Sequence, residues 1–222
     1  MRFLHHLPLS PYSRKVRAVM AEKRLGFELR LEKVWEQRPE FLALNPAGTV
    51  PVLLEDNGLV IPDSNVICEY LDEAYPDTSL TGASYAERVE VRRLVAWFDH
   101  KFGTEVTRNL LYEKHMKRAL GRGQPDGGAL RQGYANLRWH LDYIGHLGES
   151  RQWLAGANLS MADFAAAAHL SALDFIGDVD WSLSPPARDW YARVKCRPAF
   201  RAILQDRVPG IATPAHYADL DF

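Results

Sequence analysis

The sequence has few of the residues and motifs that mark several common functional classes. Its 222 residues include two cysteines, Cys68 and Cys196, which form no C-x-x-C pair. Two thiols so far apart in sequence are expected to be free in a reducing compartment rather than joined in a disulfide. The spacing of histidine and cysteine matches no metal site, and no glycine-rich phosphate-binding motif occurs. The sequence therefore predicts a protein without a bound metal or nucleotide.

The chain also has little net charge and no long apolar run. Its 27 basic side chains nearly balance its 28 acidic ones, so no overall field attracts nucleic acid or an anionic membrane. A basic cluster stands out: Lys114, His115, Lys117, Arg118 and Arg122. We interpret it as solvated helix surface; the alternative is a site for a partner. There is no 18-residue apolar stretch and no signal-peptide pattern. These features predict a cytoplasmic globular protein with no membrane span and no nucleic-acid partner.

Residues 1–76 carry alternating strand and helix patterns. The apolar periodicity predicts the order β-α-β-α-β-β-α, with Gly26 ending the first helix. Asp56-Asn57-Gly58, between two short apolar runs, is a hairpin signal. Val50-Pro51 directly precedes the first of these runs and is a natural site for a cis peptide bond. Together these features predict a small α/β domain over residues 1–76.

After a turn-rich linker at residues 77–84, the pattern becomes purely helical. We predict a long helix from about Tyr85 to Leu120, followed by helices near residues 129–147, 160–176, 185–195 and 198–205. Residues 85–205 are therefore predicted to form an all-helical domain, and residues 206–222 an extended tail.

The segment S-P-Y-S, residues 10 to 13, lies between the first predicted strand and the first predicted helix. It has the frame of the redox box C-P-Y-C, with both sulfurs replaced by oxygen. A helix N-terminus presents unpaired N–H groups and the positive end of the helix dipole. A serine there cannot supply a thiolate, but it can donate a hydrogen bond to the thiolate of a ligand. We favour Ser10 over Tyr12 and Ser13 because Ser10 precedes the helix; the alternative is that Ser10 only caps it.

A second group of candidate residues follows the second predicted helix. The strand edge at Val50-Pro51 could hydrogen-bond the main chain of an extended peptide. Asp63-Ser64 begins a helix and offers N–H groups, a hydroxyl and a dipole to a carboxylate. The alternative for Asp63-Ser64 is helix capping alone.

These motifs together resemble a cytosolic glutathione S-transferase (GST) over the whole chain. The resemblance rests on S-P-Y-S-R-K-V-R, N-P-A-G-T-V-P, D-S and the segment GANLSMADFAAAAHL at residues 156–170. That last segment is similar to the family's helix-capping box, with Ser160 as N-cap and Asp163 reaching back. The resemblance implies the GST fold, in which a thioredoxin-like α/β N-terminal domain precedes an all-α C-terminal domain. It also implies glutathione as a substrate.

The resemblance further implies a role for each matching residue. Ser10 would be the catalytic residue that holds the glutathione thiolate. Val50, followed by Pro51, would pair with the cysteinyl backbone of glutathione. Asp63 and Ser64 would receive the γ-glutamyl amine and carboxylate.

Two positions depart from the family pattern. Asp63 stands where glutamate or glutamine is more usual, so it reaches less far toward the amine. Glu40 stands where members often place a glutamine, histidine or lysine for the glycine carboxylate. Arg38 is the candidate to replace that residue in binding glutathione.

The resemblance also implies that the thiolate of bound glutathione attacks a small apolar electrophile, which would lie against the helical domain. It further implies a homodimer. The aromatic candidates for the electrophile site are on the long helix: Trp97, Phe98, Phe102 and Tyr112. Packing in the core is the favoured role for most of these. The dimer surface is expected on the helix at residues 64–75 and on the first half of the long helix.

The tail indicates a second class of function. Pro209, Gly210 and Pro214 prevent a continuous helix there. With the segment RRLVAWFDHKF, the tail sequence HYADLDF resembles a GST-like division protein of alphaproteobacteria that binds the FtsZ polymer. That resemblance implies a non-catalytic scaffold that kept the fold. Because the tail carries apolar and aromatic side chains, we predict that Tyr217, Leu220 and Phe222 bind the partner. The alternative is that these side chains pack back onto the helical domain.

Overall fold

A mixed four-stranded sheet forms the first part of the computed structural model, which describes residues 1–220. Its strands are β1 (Phe3–His6), β2 (Glu28–Leu31), β3 (Val52–Leu54) and β4 (Val60–Pro62). The spatial order is β2-β1-β3-β4, with β2 parallel to β1 and β3 antiparallel to both β1 and β4. The β3–β4 hairpin turns at Asp56-Asn57-Gly58, where Gly58 has φ +87°. Such a turn favours glycine because other residues are strained at positive φ.

Three helices accompany the sheet: α1 (Pro11–Glu22), α2 (Pro39–Leu44) and α3 (Ser64–Ala74). Val16, Val19 and Met20 on α1 are completely buried, which follows from their helical spacing. The first helix ends earlier than predicted. Arg24, with φ +57°, takes the left-handed conformation that was expected at Gly26.

A single long helix follows the α/β part of the chain, but its central section is wound more widely than an α-helix. This long helix consists of α4 (Tyr85–Ala96), a π-helical section (Trp97–Met116) and α5 (Lys117–Ala119). Tyr12 donates its hydroxyl proton to the carbonyl oxygen of Asp99 on this section, at 2.9 Å. The hydroxyl comes this close because Gly103 has no side chain: a Cβ there would lie 2.9 Å from Tyr12 Oη.

The remaining helices complete the helical part: α6 (Gly127–Ser150), α7 (Met161–Phe175), α8 (Pro185–Lys195) and α9 (Pro198–Leu204). Every residue of α7 is buried, because this helix packs between α1 and the long helix. The protein therefore has the GST fold, with a mixed sheet domain followed by a helical domain. The precise limits predicted for the two domains, the linker and the tail stay predictions.

The tail contains one short 3-10 turn, Ala215–Tyr217. Tyr217 is 1% exposed, and its ring packs edge-on against Phe175 with centroids 5.2 Å apart. Val208, Ile211 and Leu220 are partly buried against the same core. The described part of the tail, residues 206–220, therefore lies on the protein itself.

Candidate active site

An open cleft of about 630 Å³ lies between the α/β part and the long helix. The loop before α1 (residues 7–10) forms one wall, and the segment before β3 (residues 48–50) forms another. The long helix closes the opposite side, and Val208 of the tail completes the lining. The cleft therefore brings Ser10 and Val50, two of the residues predicted from the sequence, to one place.

Ser10 is the N-cap of α1 and is half-buried in the wall of the cleft. Its Oγ accepts the Ser13 N–H at 3.3 Å. Ser13 itself is completely buried, and its Oγ accepts the Leu7 N–H at 3.4 Å. Among the hydrogen bonds of residues 1–220, none uses the Ser10 hydroxyl as a donor. Ser10 can therefore cap the helix with a lone pair and still donate its proton to a ligand.

Tyr12 lies in the first turn of α1 and also lines the cleft, but its hydroxyl is committed to the domain interface. Besides its bond to the Asp99 carbonyl, its ring packs edge-on against His169 with centroids 5.3 Å apart. Burial, together with the nearby Asp99 carboxylate, raises the pKa of Tyr12 to about 12. Because the Tyr12 hydroxyl already donates its proton to the Asp99 carbonyl, it is a poor candidate for donating to the thiolate of a ligand.

The Val50-Pro51 peptide bond is cis, as the sequence suggested. Val50 is half-buried on the cleft, directly before β3, while Pro51 is buried. This places the main chain of Val50 at the position where an extended peptide could pair with it.

Arg38 and Glu40 do not line the cleft. The Arg38 guanidinium donates two hydrogen bonds to Glu32, a carboxylate that is 1% exposed. It also lies 3.8 Å from the Glu40 carboxylate. Because a buried carboxylate needs a cationic partner, Glu32 competes with the predicted role of Arg38 in binding a ligand.

Asp63 and Ser64 lie at the start of α3, and neither lines the cleft. Asp63 Oδ1 accepts the Asn65 N–H at 2.7 Å and the Val66 N–H at 3.2 Å. Asp63 has φ +74°, an uncommon conformation for a residue other than glycine. Ser64 is 4% exposed. The observed contacts of Asp63 are those of the capping alternative.

The ionisable side chains of the cleft wall include no carboxylate among the described residues. Arg108, His115 and Arg122 line it, and Arg122 donates to the Tyr112 hydroxyl at 3.3 Å. Burial lowers the pKa of His115. The permanent positive charges of the cleft wall are therefore those of Arg108 and Arg122. Such a wall favours an anionic ligand.

Sequence reasoning missed this basic wall. His115 and Arg122 were interpreted as solvated surface, whereas Lys114 and Lys117 of the same cluster form ion pairs with neighbouring carboxylates. The cluster itself was the available signal, but its division between cleft and surface depends on tertiary structure.

The four aromatic residues considered for the electrophile site separate clearly. Phe98 and Phe102 are completely buried in the core. Trp97 stacks on Trp139 with ring centroids 5.6 Å apart, away from the cleft. Of the four, Tyr112 lines the cleft.

The capping segment of α7 has the geometry suggested by its sequence. The carboxylate of Asp163 is completely buried, and its Oδ2 accepts the N–H and the hydroxyl of Ser160, both at 3.0 Å. Its Oδ1 accepts the Leu154 N–H and the Trp190 indole N–H, both at 2.9 Å. The segment holds α7 in place and lies outside the cleft.

The predicted partner-binding residues of the tail do not form an exposed group in the described part of the chain. The Tyr217 hydroxyl accepts from the Arg14 guanidinium at 3.1 Å and donates to the Ile203 carbonyl at 3.4 Å. Leu220 is half-buried, and Phe222 lies outside the described residues. The ring and the hydroxyl of Tyr217 both have partners inside the protein, as in the alternative in which the tail packs onto the helical domain. Its role in binding a partner stays a prediction.

Three further features concern metal ions, membrane spans and free thiols. Among residues 1–220, no group of three or more histidine, cysteine or acidic side chains is arranged to hold a metal ion. In the same range, no helix is long and apolar enough to cross a membrane. Cys68 is a buried free thiol and Cys196 an exposed one.

A thioredoxin-type sheet domain, a following helical domain and a cleft with a serine at the N-terminus of α1 define a GST-like protein. Residues 4–79 match the family model described as glutathione S-transferase, N-terminal domain. Glutathione S-transferase 3 of Zea mays is 31% identical, covering 89% of this chain and 90% of its own. The chain therefore belongs to the glutathione S-transferase family.

Within that family, the chain is similar over its full length to proteins from bacteria. FtsZ-localized protein A of Caulobacter vibrioides is 52% identical, covering 100% of this chain and 98% of its own. The solved structure of FzlA from C. crescentus has a TM-score of 0.96 and covers 100% of this chain and 99% of its own, at 52% identity. A crystal structure described as a glutathione S-transferase from Rhodospirillum rubrum has a TM-score of 0.97 and 53% identity, and it covers both chains completely.

Proposed function

We propose that this protein is a GST-fold scaffold that associates with FtsZ polymers in bacterial cell division. The observation that carries this proposal is the full-length similarity, at 52% identity, to FtsZ-localized protein A. The contacts of two predicted glutathione-binding residues support it: Arg38 is paired with Glu32, and Asp63 caps α3. Arg38 and Asp63 were expected to bind the two ends of glutathione. Because both have partners within the protein, a purely catalytic role is less favoured.

Co-sedimentation with FtsZ tests the proposal. The protein is expected to pellet with FtsZ assembled in GTP and to stay in the supernatant with unassembled FtsZ in GDP. Glutathione S-transferase 3 of Zea mays, a relative of the same family, is the matched control and is expected to stay in the supernatant in both cases. Equal pelleting of the two proteins, or none above background, would contradict an association with FtsZ.

The second candidate function is glutathione binding with activation of its thiol for attack on a small apolar electrophile. Ser10 favours it, because this residue lines the cleft and its hydroxyl acts only as an acceptor among the hydrogen bonds of residues 1–220. Arg108 and Arg122 supply the positive charge that suits the two carboxylates of glutathione. Val50 offers main-chain groups to the cysteinyl residue.

Ser10→Ala should raise the pKa of the thiol of bound glutathione by about one to two units, because a hydrogen bond to a charged group contributes about 1.5–3 kcal/mol. The thiolate absorbance in the ultraviolet, followed against pH, measures this. Tyr12→Phe is the control, since the Tyr12 hydroxyl donates to the Asp99 carbonyl. An unchanged pKa in Ser10→Ala would remove Ser10 from the proposed mechanism, and isothermal titration without any heat of glutathione binding would end this second candidate.

We also propose a homodimer. Exposed apolar side chains lie along α3 and α4, where Val66 is 54%, Tyr85 87% and Val89 67% exposed. Exposed apolar groups in such a row are typical of a surface that another chain covers. Sedimentation showing a monomer near 25.2 kDa at every concentration would refute the proposal.

A further inference from the structure

Arg14 lies at the point where the α/β part, the helical part and the tail meet. It is on α1, one turn after Ser10, and is 0% exposed. Its Nε donates to the Pro8 carbonyl at 2.6 Å, and its Nη1 donates to Ser171 Oγ on α7 at 2.9 Å. The same Nη1 donates to the Tyr217 hydroxyl at 3.1 Å. One guanidinium thus joins the serine loop to α7 and to the tail.

The tail supplies a large part of what this buried cation needs. A guanidinium removed from water requires acceptors for its five N–H groups and a compensating negative charge. Asp206 provides the charge, with Oδ2 3.6 Å from Arg14 Nη2. It is held in place by two hydrogen bonds of 2.8 Å from Arg17. Asp206 and Tyr217 both belong to the tail, so the position of Arg14 depends on the tail.

The other end of this contact is the loop that carries Ser10. Pro8 has no N–H, so its carbonyl is its one main-chain hydrogen-bonding group, and that group is bound by Arg14. The same loop is closed by the Ser10 N–H, which donates to the Leu7 carbonyl at 3.1 Å. A shift of Arg14 would therefore move the turn that sets the direction of the Ser10 hydroxyl. Val208 of the tail also lines the cleft directly.

We propose that Arg14 is a positioning residue through which the packed tail fixes the loop of Ser10. Tyr217 and Asp206 hold the guanidinium from the tail, and the guanidinium holds the Pro8 carbonyl. The tail is then part of the architecture of the cleft, although most of it lies away from the cleft. The proposal concerns the geometry of the loop and holds whichever ligand the cleft takes.

Hydrogen–deuterium exchange of Tyr217→Phe tests the proposal. Phenylalanine keeps the ring against Phe175 and removes only the hydroxyl that accepts from Arg14. Loss of a hydrogen bond to a charged group should raise the exchange of the Leu7 and Ser10 amides by about tenfold. Peptides from α6 should exchange as before.

Tyr143→Phe is the matched control. It also loses a tyrosine–arginine bond, since its hydroxyl accepts from Arg93 at 3.1 Å, but it lies far from the serine loop in the helical part. A second variant, Arg14→Lys, keeps the positive charge but loses the planar guanidinium with its several N–H donors. It should therefore also raise amide hydrogen exchange in residues 7–10.

Three results are distinguishable. A rise confined to residues 7–10 in Tyr217→Phe, absent from the control, supports the coupling. Unchanged exchange in that loop overturns it, and so does an equal rise throughout the protein, which would report only a loss of stability. If the protein binds glutathione, the pKa of the bound thiol should also rise in Tyr217→Phe, by less than in Ser10→Ala. The exchange result needs no ligand, so its failure is separate from failure of the proposed glutathione binding.

Discussion

Replacing Asp163 by alanine is expected to lower the free energy of unfolding by about 4 kcal/mol or more. The Asp163 carboxylate is completely buried and accepts four hydrogen bonds. Without it, the main-chain N–H groups of Leu154 and Ser160 and the indole N–H of Trp190 would be buried without an acceptor. Each such donor costs about 1–3 kcal/mol. Denaturant unfolding of the variant measures the sum.

Asp180→Ala is the matched control for this prediction. Asp180 also caps a helical turn, accepting the Ser182 N–H at 3.0 Å, but it is exposed to water. Loss of an exposed cap costs about 1 kcal/mol. If Asp163→Ala fails to fold, Asp163→Asn, which keeps one acceptor oxygen, should give an intermediate loss. An Asp163→Ala variant no less stable than Asp180→Ala would show that the buried carboxylate is not what fixes this part of the fold.

The elements that the sequence predicted best are those whose chemistry is local. Asp56-Asn57-Gly58 turns the β3–β4 hairpin because glycine adopts φ +87° without strain. Ser160 and Asp163 begin α7 within three residues of each other. In both cases the residues that determine the structure are neighbours in the chain, so their spacing was sufficient evidence.

Elements determined by distant contacts were not predicted. The first helix ends at Glu22, before the predicted end at Gly26, and Arg24 takes the positive φ. The neighbouring Lys23 ammonium is bound by Asp72 at 2.8 Å and by the Tyr75 carbonyl at 2.9 Å. Those partners are about 50 residues away. The wide winding of the long helix likewise coincides with the contact of Tyr12 at Gly103, which joins the two parts of the chain. Tertiary contacts of this kind override local propensity.

The candidate site shows the same contrast between residues placed by local structure and residues placed by distant contacts. Ser10 and Val50 meet in the cleft because the loop before α1 and the segment before β3 adjoin the same strand, β1. Arg38 and Asp63 were assigned from their positions in the motifs, and their roles in binding a ligand stay predictions. The structure adds contacts that the motifs do not show, from Arg38 to Glu32 and from the first N–H groups of α3 to Asp63. The burial of Glu32 that captures Arg38 is not visible in the sequence. The same holds for Tyr217, whose hydrogen-bond partner Arg14 is 203 residues away.

A second large effect is expected at the buried ion pair that joins α1 to the long helix. Lys15 and Asp99 are 1% and 3% exposed and are bound directly to each other. The ammonium also donates to Asn65 Oδ1 at 2.6 Å. His169 lies 3.6 Å from the other carboxylate oxygen, and its Nδ1 is 2.7 Å from Thr107 Oγ1. Burial lowers the pKa of His169, so the imidazole is neutral and the charges to be balanced are those of Lys15 and Asp99.

Asp99→Asn should lower the free energy of unfolding by about 3–5 kcal/mol, because it leaves the Lys15 ammonium buried without a counter-charge. The double variant Lys15→Met/Asp99→Leu removes both charges and should be more stable than Asp99→Asn. Denaturant unfolding of the single and double variants measures the coupling. A double variant less stable than Asp99→Asn would show that the polar contacts to Asn65 and His169, rather than the charge balance, dominate.

The pH dependence of Asp99→Asn gives an independent check. Burial opposes ionisation of Asp99, but the Lys15 ammonium and the His169 imidazole outweigh it, so its pKa in the folded protein lies below the ordinary value. The unfolded chain then binds the Asp99 proton at a higher pH than the folded protein does. The stability that Asp99 supplies is therefore complete above its unfolded pKa of about 3.9 and is lost as the pH falls through the folded pKa. The difference in unfolding free energy between the natural protein and Asp99→Asn should be constant near neutrality and should narrow below about pH 4. A difference that stays constant through acid would mean that Asp99 is not the ionised partner of Lys15.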